Sequence, residues 1–151
     1  SVQAIGKSHT KKHREDIAYL ILHYESKKIV HINCSWISPI KIRQFIIGGT
    51  EKMIVFNDTV EKGKIILHNT NFKEKISDVD NESSTVEYNI GKELLVNHDP
   101  TEALELLARD FINSIINNSQ PVSGYKMGID VVRILEAAQK SIENDGKIIK
   151  I

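Results

Sequence analysis

Apolar and polar positions alternate through the first two thirds of the chain and then recur at helical spacing, so the pattern predicts strands followed by helices. Residues 16–49 organise the rest. Residues 17–24 and 29–36 are rich in Ile, Val, Leu and Tyr, and Glu25, Ser26, Lys27 and Lys28 between them suit a tight hairpin. A third run, residues 40–47, follows the Ser38-Pro39 break and stops at Gly48-Gly49, so a three-stranded antiparallel meander is expected. Period-two alternation puts Ala18, Leu20, Leu22 and Tyr24 on one face with Val30, Ile32, Cys34 and Trp36. The opposite face shows Tyr19, His23, His31, Asn33 and Ser35. An apolar face calls for helices to cover it, and a mixed face suits a partner or ligand.

Residues 2–7 alternate and can add a strand to the meander; the polar, basic loop 8–15 follows. Beyond Gly48-Gly49-Thr50, residues 53–56 and 64–68 read as further strands, with a turn at Asn57-Asp58. Residues 69–85 turn sharply polar and read as an excursion at the sheet edge, least structured at 81–84, with a short strand resuming at 86–88. Asp99 is a good N-cap, with Pro100 at the first helical position and Glu102 able to close a capping box. Leu104, Leu107, Ala108, Phe111, Ile112 and Ile115 then form an apolar stripe that ends before Pro121. A second helix is expected from Ser123, with Met127, Val131, Ile134, Leu135, Ala138 and Ile142 on one side, stopping at Asn144-Asp145-Gly146. Residues 147–151 alternate Lys with Ile and read as a last strand. The fold class is therefore α+β: an open, predominantly antiparallel β-sheet with two main helices packed on one face, in a single domain over 1–151.

Composition narrows the function classes. Lys plus Arg equals Asp plus Glu at 20 each, so the formal charge of zero offers no general attraction to nucleic acid or an anionic membrane. No apolar run is long enough for a membrane span, and no basic-then-apolar leader opens the chain. The single cysteine, Cys34, cannot form an internal disulfide, which fits the cytoplasm, and its mid-strand position reads as a buried structural thiol.

Self-sufficient chemistry is scarce. The six histidines lack ligand spacing with a carboxylate or thiolate; His23 and His31 can meet across the hairpin, although imidazoles on a polar face are more often just solvated. Ser35, Ser38 and Ser141 have no nucleophile-elbow or triad setting. Gly124 and Gly128 open a helix without a preceding phosphate-loop strand or a following Lys-Ser. The loop carrying Lys7, His9, Lys11, Lys12, His13 and Arg14 reads as an anion contact or an ordinary solvated loop, and without interleaved aromatics it offers no base-stacking platform. No metal site and no catalytic set follow from the residues alone.

Taken in order, several stretches resemble the C-terminal domain of the Gfo/Idh/MocA family of NAD(P)-dependent oxidoreductases. They are Asp16-Ile17-Ala18-Tyr19; Ser35-Trp36 with Pro39, Lys41 and Arg43; Ile47-Gly48-Gly49-Thr50; and Asn57-Asp58. Asp99-Pro100 with Phe111-Ile112 and Ile115, and Val131-Val132 through Leu135-Glu136-Ala137-Ala138 with Ser141, continue the likeness. The combination of Trp36, Pro39, Lys41 and Arg43 looks most like the branch acting on nucleotide-linked sugars. The resemblance implies an N-terminal Rossmann domain, absent from this chain, that holds NAD or NADP, while the present domain binds a sugar or nucleotide-sugar substrate and none of the cofactor. It also implies homo-oligomerisation through the open sheet face. The family's Gly-x-Gly-x-x-Gly loop, Glu-Lys-Pro segment and Asp/His pair have no counterpart here, so the chain looks like a C-terminal fragment or a truncated relative. Lys41, Arg43, Trp36 and His9 are the expected substrate contacts, each with a structural alternative: Trp36 as a core or interface aromatic, Arg43 paired with a cross-strand carboxylate, Lys41 solvated. The competing functional reading is a non-enzymatic dimerisation or interaction module.

Overall fold

The alternating runs become strands in the order β1 (Val2–Lys7), β2 (Ile17–His23), β3 (Ile29–Ser35), β4 (Gln44–Gly48), β5 (Met53–Asn57), β6 (Ile65–Ile76) and β7 (Ser84–Val96). Two helices follow, α1 (Ala103–Ile116) and α2 (Tyr125–Glu143). The structure is a computed structural model and describes residues 1–10, 14–76 and 84–151. Contacts divide the chain into two units, one of Ser1–Pro39 with Glu102–Ile151 and the other of Ile40–Thr101. Each holds one open antiparallel sheet, of order β1-β2-β3 in the first and β4-β5-β6-β7 in the second. The class is α+β, as the pattern predicts.

In the first unit the expected faces are realised by register: Ala18 lies opposite Cys34, Leu20 opposite Ile32 and Leu22 opposite Val30. Val2 and Ala4 from β1 join Leu20 and Leu22, and Ala137 and Ala138 of α2 close over them. Small helix residues let α2 approach the sheet closely, so the core is built of short side chains. α2 also serves the edge of β1. The Ala4 N–H, which points away from β2, donates to the fully buried Ser141 Oγ at 2.8 Å, and Ser141 Oγ donates to the Lys147 carbonyl at 2.6 Å. Val2 and Ile149 exchange N–H···O bonds of 2.8 Å. Residues 147–151 therefore form a single bridge rather than the expected strand, because the Ser141 hydroxyl takes the next position along the edge. The chain leaves α2 through Asp145 and Gly146, both at positive φ, and Gly146 N–H returns to the Ser141 carbonyl at 2.8 Å.

Several expectations are corrected. The third run does not join the meander: β4 pairs with β5 across a short turn closed by Gly49 N–H to the Lys52 carbonyl. A local hairpin costs less chain entropy than returning past Pro39 to β3. The polar excursion is mostly strand, since β6 continues to Ile76 and β7 begins at Ser84, paired throughout with one register shift between His68 and Thr70. A long antiparallel ladder satisfies backbone groups whatever the side-chain polarity, so composition misleads there. Residues 81–83 of the segment expected to be least structured lie outside the described residues. Helix α1 starts later than Asp99: its N-cap is Glu102, and Asp99 Oδ1 instead accepts from Thr101 N–H at 2.9 Å in an Asx turn. Cys34 is exposed, since β3 is an edge strand with little packed on it. His23 faces Ile29 and His31 faces Ile21, so the two imidazoles are diagonal rather than paired.

Candidate functional site

Ahead of β2, His9 and Thr10 are gathered onto one carboxylate. Asp16, only 6% exposed, accepts from the backbone N–H groups of His9 at 2.7 Å and Thr10 at 2.9 Å through Oδ2. Its Oδ1 lies 2.8 Å from His9 Nδ1. The backbone of Asp16 works as well, donating to the Lys7 carbonyl and accepting from Trp36 N–H at 2.8 Å. Asp16 thus ties together the end of β1, the start of β2 and the residue after β3. The hydrogen bond from the His9 side chain, helped by those from the His9 and Thr10 backbone, holds the Asp16 carboxyl below its usual range, against the opposing effect of burial. Of the expected site residues, His9 and Trp36 are brought to this end of the first sheet. The His9 side chain is 57% exposed and Trp36 is 90% exposed, so in this unit Trp36 is not a core aromatic.

Lys41 and Arg43 fall in the second unit, on the segment that leads into β4. There Asp58, just past β5, accepts from Arg43 Nη1 at 3.0 Å and from Lys64 Nζ at 3.3 Å. Asp58 N–H donates to the Arg43 carbonyl at 2.9 Å. The Arg43 hydrogen bond, followed by that from Lys64, lowers the Asp58 carboxyl from its usual range, while burial opposes it. Arg43 is therefore paired across the hairpin, yet a guanidinium carries five N–H donors and this one remains well exposed, so it keeps donors for an anion. Lys41 is exposed with no hydrogen-bonding or ionic partner among the described residues. The arrangement offers cationic donors around one carboxylate, suited to orienting a phosphate or hydroxyl, and supplies no nucleophile.

Sequence reasoning passed over Asp58 and Lys64. Counting outward from the Gly48–Met53 pair through Gln44 opposite Asn57 puts Arg43 opposite Asp58, so the register of the hairpin was the available signal. The hub role of Asp16 had no local signal, since its partners are set by where β1 and β3 end. A surface hollow of about 350 Å³ at the start of α2, lined by Gln120, Gly124, Tyr125 and Lys126, shares no residue with either polar cluster. Among the described residues no group of His, Cys, Asp and Glu could hold a metal, and no helix is long and apolar enough to cross a membrane. His13, one of the loop histidines, lies outside the described residues. Every pairing of the named strands is antiparallel and both helices follow the last strand, so the described residues contain no βαβ unit of the kind that cradles a dinucleotide.

Two open antiparallel sheets followed in the chain by two amphipathic helices define an α+β domain. The chain belongs to the Gfo/Idh/MocA oxidoreductase family, whose C-terminal alpha/beta domain matches residues 1–151. Among solved structures it is similar to the UDP-N-acetylglucosamine 3-dehydrogenase GnnA from Acidithiobacillus ferrooxidans, with a TM-score of 0.64 at 16% identity over 93% of this chain and 38% of that one. It is also similar to yvaA from Bacillus subtilis, described as an oxidoreductase, with a TM-score of 0.61 at 16% identity over 99% of this chain and 45% of that one. The chain thus spans less than half the length of either protein. At such identity the likeness carries the fold. No curated protein sequence matches the chain significantly.

Proposed function

We propose that this chain is the substrate-binding and oligomerisation half of an NAD(P)-dependent oxidoreductase that moves a hydride between nicotinamide and a sugar or nucleotide-linked sugar. By itself it is inert in that reaction. An N-terminal Rossmann domain would hold the nicotinamide and supply the proton-transfer groups, and the enzyme would work in the cytoplasm. The observation that carries the reading is the match of the whole chain to the C-terminal domain of an oxidoreductase family. A nucleotide-linked sugar is supported by the fold neighbour that acts on UDP-N-acetylglucosamine and by the donors of Lys41 and Arg43, which suit a phosphate.

In this reading Lys41 and Arg43 contact phosphate or hydroxyl groups, Trp36 presents its exposed ring to the sugar or a neighbouring subunit, and His9 contacts a hydroxyl. In the intact enzyme, Lys41→Ala and Arg43→Ala should each raise KM for the substrate roughly 10- to 100-fold, the loss of a charge-assisted hydrogen bond, with a smaller change in kcat. Unchanged kcat and KM in both variants would remove these residues from the site.

The second reading, a non-enzymatic dimerisation module, draws on the exposed apolar residues of the second sheet. Phe45, Ile46 and Ile47 are each 62% exposed and Leu95 is 71% exposed. Steady-state turnover of a nucleotide-sugar by the protein that carries this domain separates the two, since a module alone gives none.

A further inference from the structure

The contact between Asp16 and His9 goes beyond a loop clamp. Two backbone N–H groups already hold Asp16 Oδ2, so the orientation of the carboxylate is set by the main chain and does not depend on the imidazole. The second oxygen is thereby aimed at His9 Nδ1 at 2.8 Å. An ionised carboxylate accepts only, so Nδ1 must carry a proton and donate it. In the neutral ring Nε2 then holds a lone pair, and no other described residue occupies it. The ring is 57% exposed while its anchor is 6% exposed, an acceptor held rigidly from behind and open in front.

We propose that Asp16 is a positioning residue that fixes the Nδ1–H tautomer of His9, so that His9 Nε2 accepts a hydrogen bond from a hydroxyl of a bound carbohydrate. The dyad itself follows from the geometry; the carbohydrate rests on the proposed function above. His9 is then a directional acceptor for ring hydroxyls, and the Asp16–His9 dyad discriminates against ligands that lack a hydroxyl at that point. A lost neutral hydrogen bond is worth about tenfold in affinity.

The test uses the intact protein that carries this domain, labelled with ¹⁵N-histidine and observed at alkaline pH. The wild type should show His9 protonated at Nδ1, and Asp16→Asn should shift the ring toward the Nε2–H form. UDP-N-acetylglucosamine and, separately, glucose serve as probes, and a bound probe should move the His9 Nε2 resonance. His9→Ala, which keeps both backbone bonds to Asp16 and so keeps the loop, should weaken binding of that probe about tenfold. An Nε2–H tautomer in the wild type overturns the dyad whatever the ligand. A probe that binds with equal affinity to His9→Ala and leaves His9 unmoved overturns the acceptor role while the carbohydrate reading stands. Binding of neither probe overturns the carbohydrate reading and the acceptor role with it, and the tautomer result is unaffected.

Discussion

At the residue scale two polar side chains carry more of the first unit than their size suggests. Ser141 is fully buried and its hydroxyl both accepts from Ala4 N–H and donates to the Lys147 carbonyl. Removing it leaves a strand-edge N–H in a dry place, so Ser141→Ala should cost about 1–3 kcal/mol in denaturant unfolding, and Ser141→Cys should not restore it. Asp16 and Asp58 are held below the usual carboxylate range by hydrogen bonds, from His9 and its neighbours in one case and from Arg43 and Lys64 in the other. A group depressed on folding contributes stability above its unfolded value, about 3.9 for aspartate, and loses that contribution as pH falls through the folded value. The contribution of these two carboxylates to the denaturant midpoint should therefore be constant above about pH 5 and be lost progressively below about pH 4, and Asp16→Asn should make that acid limb shallower. An unchanged limb in Asp16→Asn would show that other carboxylates set the acid response.

At the element scale the ladder between β6 and β7 contains the feature that composition hides. The register shifts between His68 and Thr70, and Gly91 passes so close to Asn69 that a Cβ there would overlap the Asn69 carbonyl oxygen. Glycine is needed for that approach, and Gly91→Ala should destabilise by about 1–3 kcal/mol, since backbone atoms cannot swing aside as a side-chain end can. Gly128 has open space where its Cβ would stand; Gly128→Ala, within α2, should stabilise by up to about 1 kcal/mol. Thermal melts of both variants give opposite signs if these two environments are as described. Element existence was legible from periodicity for all of β1 to β5 and for both helices. Two boundaries were not: the start of α1, where Asp99 looked like a cap but spends its side chain on Thr101, and the reach of β6 and β7 through polar residues. At Asp99 a local Asx turn takes the place of the cap, and in β6 and β7 backbone pairing overrides the polarity of the side chains.

At the scale of the whole molecule each unit leaves apolar surface open. On β4 the adjacent Ile46 and Ile47 point to opposite faces of the second sheet, and both are as exposed as Phe45. Oligomerisation through this sheet predicts that a charge on the interface face breaks the assembly: of Ile46→Asp and Ile47→Asp, one should lower the sedimentation coefficient toward that of a monomer. If neither does, the sheet is not the interface. The candidate site was legible in part. Lys41 and Arg43 stand out in the pattern of residues, but Asp58, the partner of Arg43, follows only from hairpin register, and His9 becomes informative only through the Asp16 carboxylate that holds it. Sequence alone determined the class, the alternation that separates the two faces of the first sheet, and the amphipathic stripe of α2, because these depend on the period of side chains along a single element. Tertiary structure decided which strands share a sheet, that β4 leaves the meander for β5, and that Asp16 binds three segments at once. Those depend on pairings between residues far apart in the chain, where alternatives of the same periodicity differ only in closure entropy and in whether every buried polar group finds a partner.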